Sequence, residues 1–107
     1  MGRTNDLTRH IIDTLTAAGW EVWRNNSGTV LTGGYKIHMS PAYTGDIIGF
    51  DPAGRYVHIE VKTDNDILSQ GQIEMLYKVA KTKDGITCVA RNKNQFDDWF
   101  SKCRRIN

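Results

Sequence analysis

The stretch Gly45-Asp-Ile-Ile-Gly-Phe-Asp-Pro-Ala-Gly-Arg-Tyr-Val-His-Ile-Glu-Val-Lys62 holds the residue types and spacing best suited to chemistry. Asp51-Pro52-Ala53-Gly54 suits a three-residue hairpin loop, with Pro52 and Ala53 in a type I turn and Gly54 in the left-handed position. Asp51 and Arg55 then close the hairpin. Counting outward, Phe50 faces Tyr56, Ile48 faces His58, and Asp46 faces Glu60. Directly opposite residues share a face of the sheet, so these two carboxylates stand ~5 Å apart at their Cβ atoms. Like charges at that distance repel, and a divalent cation with oxygen ligands is the simplest compensation. Alternation puts Lys62 on the Glu60 face and turns Val57, Ile59 and Val61 toward a core. The expectation is a cluster of Asp46, Glu60 and Lys62 around a metal position. A slip of one residue would part the carboxylates. The competing reading makes Glu60 and Lys62 an ordinary solvated strand face.

Little else competes as a reaction centre. His10, His38 and His58 are scattered, and no Ser/His/Asp or Cys/His set accompanies them. His58 shares the Glu60 face, either as a substrate contact or as a plain strand residue. Cys88 and Cys103 sit in apolar patterns, as core thiols do. No zinc spacing and no glycine-rich phosphate loop occurs, so no nucleotide cofactor is expected. Ser69 with Gln72 forms the capping-box pattern S-x-x-Q, which starts a helix whatever else Gln72 does. Arg24, Asn25 and Asn26 follow a strand-like run and suit either contacts to a nucleic-acid backbone or a simple turn.

The elements that must position these groups are legible as periodicities. Leu7, Ile11, Ile12, Leu15 and Ala18 make a helical apolar stripe, with Asn5 or Asp6 as N-cap and Gly19 as the stop. A second helix begins after Ser69, places Ile73, Leu76, Tyr77 and Ala80 on one face and ends near Asp84-Gly85. A third follows Asn92 or Asn94 and carries Phe96, Trp99, Phe100 and Cys103 toward the core or a dimer surface, with Asp97 and Asp98 in its first turn. Strands are expected over 20–24, 35–39, 46–51, 55–62 and 86–90, the last of buried type. The order predicts an α/β fold: a single small domain over residues 1–107, with a mixed β-sheet and central hairpin flanked by helices.

Composition narrows the classes. The 107 residues are 39% hydrophobic and 24% charged, an ordinary globular balance. No apolar run reaches the ~20 residues of a membrane span, and no signal-peptide stretch follows Met1. Two cysteines are no disulfide scaffold and fit a cytoplasmic location. The net charge of +2 decides nothing about nucleic acid, although Lys93, Lys102, Arg104 and Arg105 make the C-terminal end basic.

Together with Leu68-Ser69-Gln70-Gly71-Gln72, the hairpin segment resembles the PD-(D/E)XK nuclease superfamily. It is most similar to its VRR-NUC (virus-type replication-repair nuclease) branch. The matching stretches, in order, are Ala18-Gly19, Trp23-Arg24-Asn25-Asn26-Ser27-Gly28, Gly45-Asp46, Glu60-Val61-Lys62 and 68–72; the resemblance covers about residues 5 to 80. Gly45 stands where that branch often has Pro. The resemblance implies a restriction-endonuclease-like PD-(D/E)XK core and a metal-dependent DNA endonuclease. Asp46, Glu60 and the main-chain carbonyl of Val61 would bind Mg²⁺ or Mn²⁺. Lys62 would activate the attacking water, and Gln72 would support the site. Asp6 takes the place of a first-helix glutamate ligand, with a shorter reach. Small members of the branch resemble Holliday-junction resolvases, which implies a homodimer acting on branched DNA in a bacterial or phage-infected cell. The alternative is a non-catalytic nucleic-acid-binding or assembly protein on the same fold.

Overall fold

The structure, a computed structural model, describes residues 3–25, 29–32, 35–38 and 45–106. Helix α1 spans Arg3–Ala17, followed by β1 (Glu21–Arg24), β2 (Thr29–Thr32), β3 (Tyr35–His38), β4 (Ile47–Phe50) and β5 (Tyr56–Val61). Helix α2 (Gln70–Lys81), β6 (Ile86–Ala90) and α3 (Lys93–Ile106) complete the chain. Four strands form a mixed sheet in the order β1-β4-β5-β6, and β2 pairs with β3 separately. β1, β4 and β5 run antiparallel, whereas β6 lies parallel to β5 because α2 carries the chain back across the sheet. The expected α/β architecture is therefore present.

The central hairpin follows its turn chemistry. Gly54 takes φ +84°, its N–H donates to the Asp51 carbonyl at 2.9 Å, and the Asp51 N–H donates to the Arg55 carbonyl at 3.0 Å. Phe50 pairs with Tyr56 and Ile48 with His58, so the counted register holds. The Asp51 side chain is sealed from solvent and accepts from the Ala53 N–H at 3.0 Å and from Arg55 N and Nε at 2.7 and 2.6 Å. Burial alone would raise its carboxyl. The side-chain and backbone hydrogen bonds from Arg55 outweigh that and hold it below the ordinary value.

The core lies between the sheet and the pair α1 and α3. Leu7, Ile11 and Leu15 meet Ile47, Val57, Ile59 and Val61 from one side, with Phe96 and Phe100 beside them. Each such side chain contributes about 1.5–3 kcal/mol by leaving water. Trp20 sits edge-on to Phe100 and Trp99, which makes the aromatic face of α3 core rather than surface.

Several local expectations are corrected. α1 begins at Arg3, so Asn5 and Asp6 lie inside it, and Ala18 falls beyond its end in the open. β2 was not anticipated: four residues with a threonine at each end carry no apolar alternation of the usual strength. The 35–39 strand stops at His38, and its residue Met39 lies outside the described residues. α2 ends at Lys81, and its buried residue is Val79; Ile73, Tyr77 and Ala80 remain exposed. Spacing defines an apolar stripe but not whether another element reaches it. Asp97 and Asp98 lie past the first turn of α3, where Asp97 pairs with His10 at 2.7 Å and Asp98 with Lys102 at 3.0 Å. Among the described residues, no helix is long and apolar enough to cross a membrane.

Candidate metal centre and nucleic-acid cleft

Glu60 lies on β5 one residue beyond the last ladder pair, Ile47 with Ile59, and Asp46 is the residue just before β4. Continued by one step, the register sets Asp46 opposite Glu60, as the loop geometry predicts. Asp46 is half-buried and its Oδ2 accepts the Val61 N–H at 2.8 Å. Glu60 is only 1% exposed, so the solvated-face reading does not hold for it. Its Oε2 lies 3.2 Å from His58 Nε2, and its Oε1 lies 3.5 Å from Gln72 Nε2, a long hydrogen bond. Burial pushes the Glu60 carboxyl up; the His58 hydrogen bond offsets part of this, and the nearby Asp46 charge adds to it. The Tyr56 hydroxyl is raised by burial and then by Glu60.

Gln72 holds two positions at once. Its Oε1 accepts the Ser69 N–H at 2.9 Å, while the Ser69 hydroxyl accepts the Gln72 N–H at 3.2 Å. That reciprocal capping box starts α2, and it also fixes the amide that reaches Glu60. The local signal S-x-x-Q therefore has a structural and a site role.

A cleft of about 610 Å³ opens beside Asp46, lined also by Val61 and Lys62 from the hairpin, Arg24 and Asn25 from the end of β1, and residues of the first turns of α1; Glu60 is not in its lining. Lys62 is half-buried there; its N–H donates to the Ala90 carbonyl at 3.0 Å and its carbonyl accepts from Arg91 at 3.4 Å. Thr4 and Thr63 hydroxyls bond at 2.9 Å and dock α1 against the chain following Lys62. Arg24 donates to Asn5 Oδ1 at 2.8 Å along the cleft wall. Another cavity, of about 860 Å³ around Trp20 and Pro52, lies at the hairpin-turn end of the sheet and lacks these groups.

The remaining expected site residues separate. Asp6 is exposed and lines a different cavity of about 270 Å³ with Thr63, Asp64 and Arg91, so α1 reaches the Asp46 cleft with Thr4, Asn5 and Thr8 instead. Asn25 turns inward: its Nδ2 donates to the Gly45 carbonyl at 3.0 Å and its N–H to the Asp46 carbonyl at 2.8 Å. It clamps the backbone that carries Asp46, a role that an Asn after a strand hints at but does not specify. Asn26 and the side chains of Arg104 and Arg105 lie outside the described residues. His58 is fully buried and so offers no surface to a substrate. Burial pushes the Cys88 thiol up to about 12 and raises Cys103 as well, so neither is an activated nucleophile.

The donor set is hard oxygen. The carboxylates of Asp46 and Glu60 would suit Mg²⁺ or Mn²⁺, which keep waters and substrate oxygens for their remaining positions. The fit rests on the register, which sets the buried Glu60 opposite Asp46, so that a cation between them would relieve their repulsion. Among the described residues, no group of three or more His, Cys, Asp and Glu is placed to hold a metal. Such a site would therefore depend on the carboxylate pair completed by non-acidic oxygens.

No protein-family model matches the sequence, and neither does any curated protein. A solved structure described as a VRR_NUC domain does match: it superposes with a TM-score of 0.69, covering 94% of this chain and 97% of that chain, at 16% identity. The chain thus has the fold of a VRR_NUC domain, in agreement with the resemblance carried by the hairpin and capping-box motifs.

Proposed function

We propose that this chain is a metal-dependent DNA endonuclease that hydrolyses phosphodiester bonds, acting as a homodimer on branched or otherwise structured DNA. The observation that carries the reading is the carboxylate pair on a VRR_NUC-type fold: Asp46, just before β4, lines a cleft with Lys62, and Glu60 lies buried on β5 behind it. Asp46, Glu60 and the Val61 carbonyl would hold Mg²⁺ or Mn²⁺. When bound, such a cation supplies Lewis-acid chemistry, making water more acidic and screening phosphate charge.

The protein residues do the rest. Lys62 places a cation where charge develops as water oxygen bonds to phosphorus and the bond to the leaving oxygen breaks. Gln72 and Asn25 keep the two carboxylate segments in register through Glu60 Oε1 and the Gly45 and Asp46 carbonyls. Arg24, on the cleft wall, suits a backbone phosphate of the substrate. The exposed apolar residues Ile67, Ile73 and Tyr77 support assembly with a second copy.

The test is cleavage of labelled single-strand, duplex, flap and four-way-junction DNA with Mg²⁺ or Mn²⁺, beside Lys62→Ala. The variant should stay folded, keep metal-induced stabilisation and lose about 10²–10³-fold in turnover. Junction cleavage that vanishes in the variant supports the full reading, and cutting of flaps alone removes the resolvase analogy. Folded protein that cuts nothing would instead be a nucleic-acid-binding module.

A further inference from the structure

We infer that His58 is a positioning residue for the metal-binding carboxylate, orienting Glu60 by a hydrogen bond from Nε2, and that Gly45 leaves the space its imidazole requires. The inference rests on the nuclease reading and deepens it. His58 is 0% exposed, and Nε2 lies 3.2 Å from Glu60 Oε2. A metal-ligating carboxylate accepts hydrogen bonds, so the imidazole can orient Glu60 for a cation only with its hydrogen on Nε2. The opposite nitrogen agrees: Nδ1 is buried and has no hydrogen-bond partner among the described residues. A hydrogen there would be an orphaned buried donor, whereas a bare lone pair is the milder omission. The Tyr56 ring stands edge-on to the imidazole at 6.3 Å between centroids and limits its rotation.

Gly45 ties this ring to the second carboxylate. A Cβ at position 45 would stand 2.9 Å from His58 Cδ2 and 3.0 Å from Nε2, with the Ile59 carbonyl at 3.1 Å. The backbone cannot simply swing away, because Asn25 holds the carbonyls of Gly45 and Asp46. The imidazole therefore abuts the segment carrying Asp46 while it bonds to Glu60, and it sets the spacing of the pair. Oε2 is committed to His58, Oε1 is reached only at 3.5 Å by Gln72, and Asp46 Oδ2 is committed to Val61 N–H. The two carboxylates also approach each other, and it is this mutual contact that a cation would replace. Partners of this kind commonly change metal affinity by about 10–100-fold when removed.

The experiment is calorimetric titration of Mn²⁺ into the wild type, H58F and H58Q, with cleavage followed across Mn²⁺ concentration. H58F keeps a buried ring without a donor and should bind Mn²⁺ about 10–100-fold more weakly. H58Q retains an amide donor and should recover most of that loss. Raising Mn²⁺ should restore cleavage to H58F but not to Lys62→Ala. Affinity in folded H58F equal to wild type overturns the inference and leaves the nuclease reading intact. Nitrogen NMR of wild-type imidazole needs no variant to fold: hydrogen on Nε2 supports the inference, and hydrogen on Nδ1 overturns it. A wild type that neither binds Mn²⁺ nor cuts DNA removes the nuclease reading itself, and the inference with it.

Discussion

Glu60→Gln separates the charge of the carboxylate pair from its shape. Glutamine has nearly the same volume, and its amide oxygen can still accept from His58 Nε2, which lies 3.2 Å from the native Oε2. What disappears is a buried negative charge facing Asp46, the combination that pushes the native carboxyl up. Like charges directly opposed across an antiparallel pair cost about 0.2–1 kcal/mol. In chelator at neutral pH, the variant should therefore be more stable than wild type, by roughly 1–8 °C in Tm for a chain of this length. Metal reverses the order. Wild type at about a hundred times its Kd for Mn²⁺ should gain about 2.7 kcal/mol, or roughly 10–20 °C, while the variant gains little. Differential scanning calorimetry in chelator and across a Mn²⁺ titration reads both effects. A variant less stable than wild type in chelator would refute the repulsion argument. A variant with the full metal-dependent rise would refute Glu60 as a ligand.

Three further outcomes follow from single contacts. Ser69→Ala should lower stability by about 1 kcal/mol through the lost cap and leave the metal-induced Tm rise intact; Gln72→Ala should reduce both, because its amide also reaches Glu60. Asp51→Asn should cost about 1.5–3 kcal/mol, since its buried carboxylate accepts charged hydrogen bonds from Arg55. The wild-type carboxyl sits below its ordinary 3.8, so this stabilisation is present at neutral pH and fades as pH falls below 3.8 through the folded value; acid titration of Asp51→Asn should lack that limb. Gly49→Ala should fail to fold, or lose more than about 4 kcal/mol by chemical denaturation. Its φ is +153°, and its new Cβ would stand 2.0 Å from the Glu21 carbonyl, prising β1 from β4. A soluble Gly49→Ala protein of native stability would show that the β1–β4 pairing is wrong.

How much of this was legible in the sequence depends on the range of the interaction. Asp51-Pro52-Ala53-Gly54 encodes its own turn, and the turn fixes every pair beyond it, so the opposition of Asp46 and Glu60 could be counted out along two strands. Ser69 and Gln72 announce the start of α2 in the same local way. The failures lie where a residue's partner is distant in sequence. The apolar stripe Ile73, Leu76, Tyr77, Ala80 is real as a periodicity, yet no local rule says that Val79 is the residue of this helix that becomes buried. Asp6 and Asn5 are neighbours on α1, and the choice of which faces Asp46 rests on the helix phase relative to a cleft built forty residues later.

Asn25 and His58 carry that point into the chemistry. Both have an innocuous local reading, a turn asparagine and a strand histidine, and both prove to be spent on the carboxylate segments rather than on solvent. Two carboxylates set opposite each other have to be kept close against their own repulsion, and the ladder alone ends one residue short of them. The fold compensates from three directions: Asn25 from β1 on the Gly45 and Asp46 carbonyls, Val61 N–H on the Asp46 carboxylate, and His58 with Gln72 on Glu60. The D…ExK spacing can thus arise by chance in any hairpin, but this set of supports cannot follow from the spacing alone. Their convergence is on two like charges, and a strand end with no further task would be more stable with neither charge present.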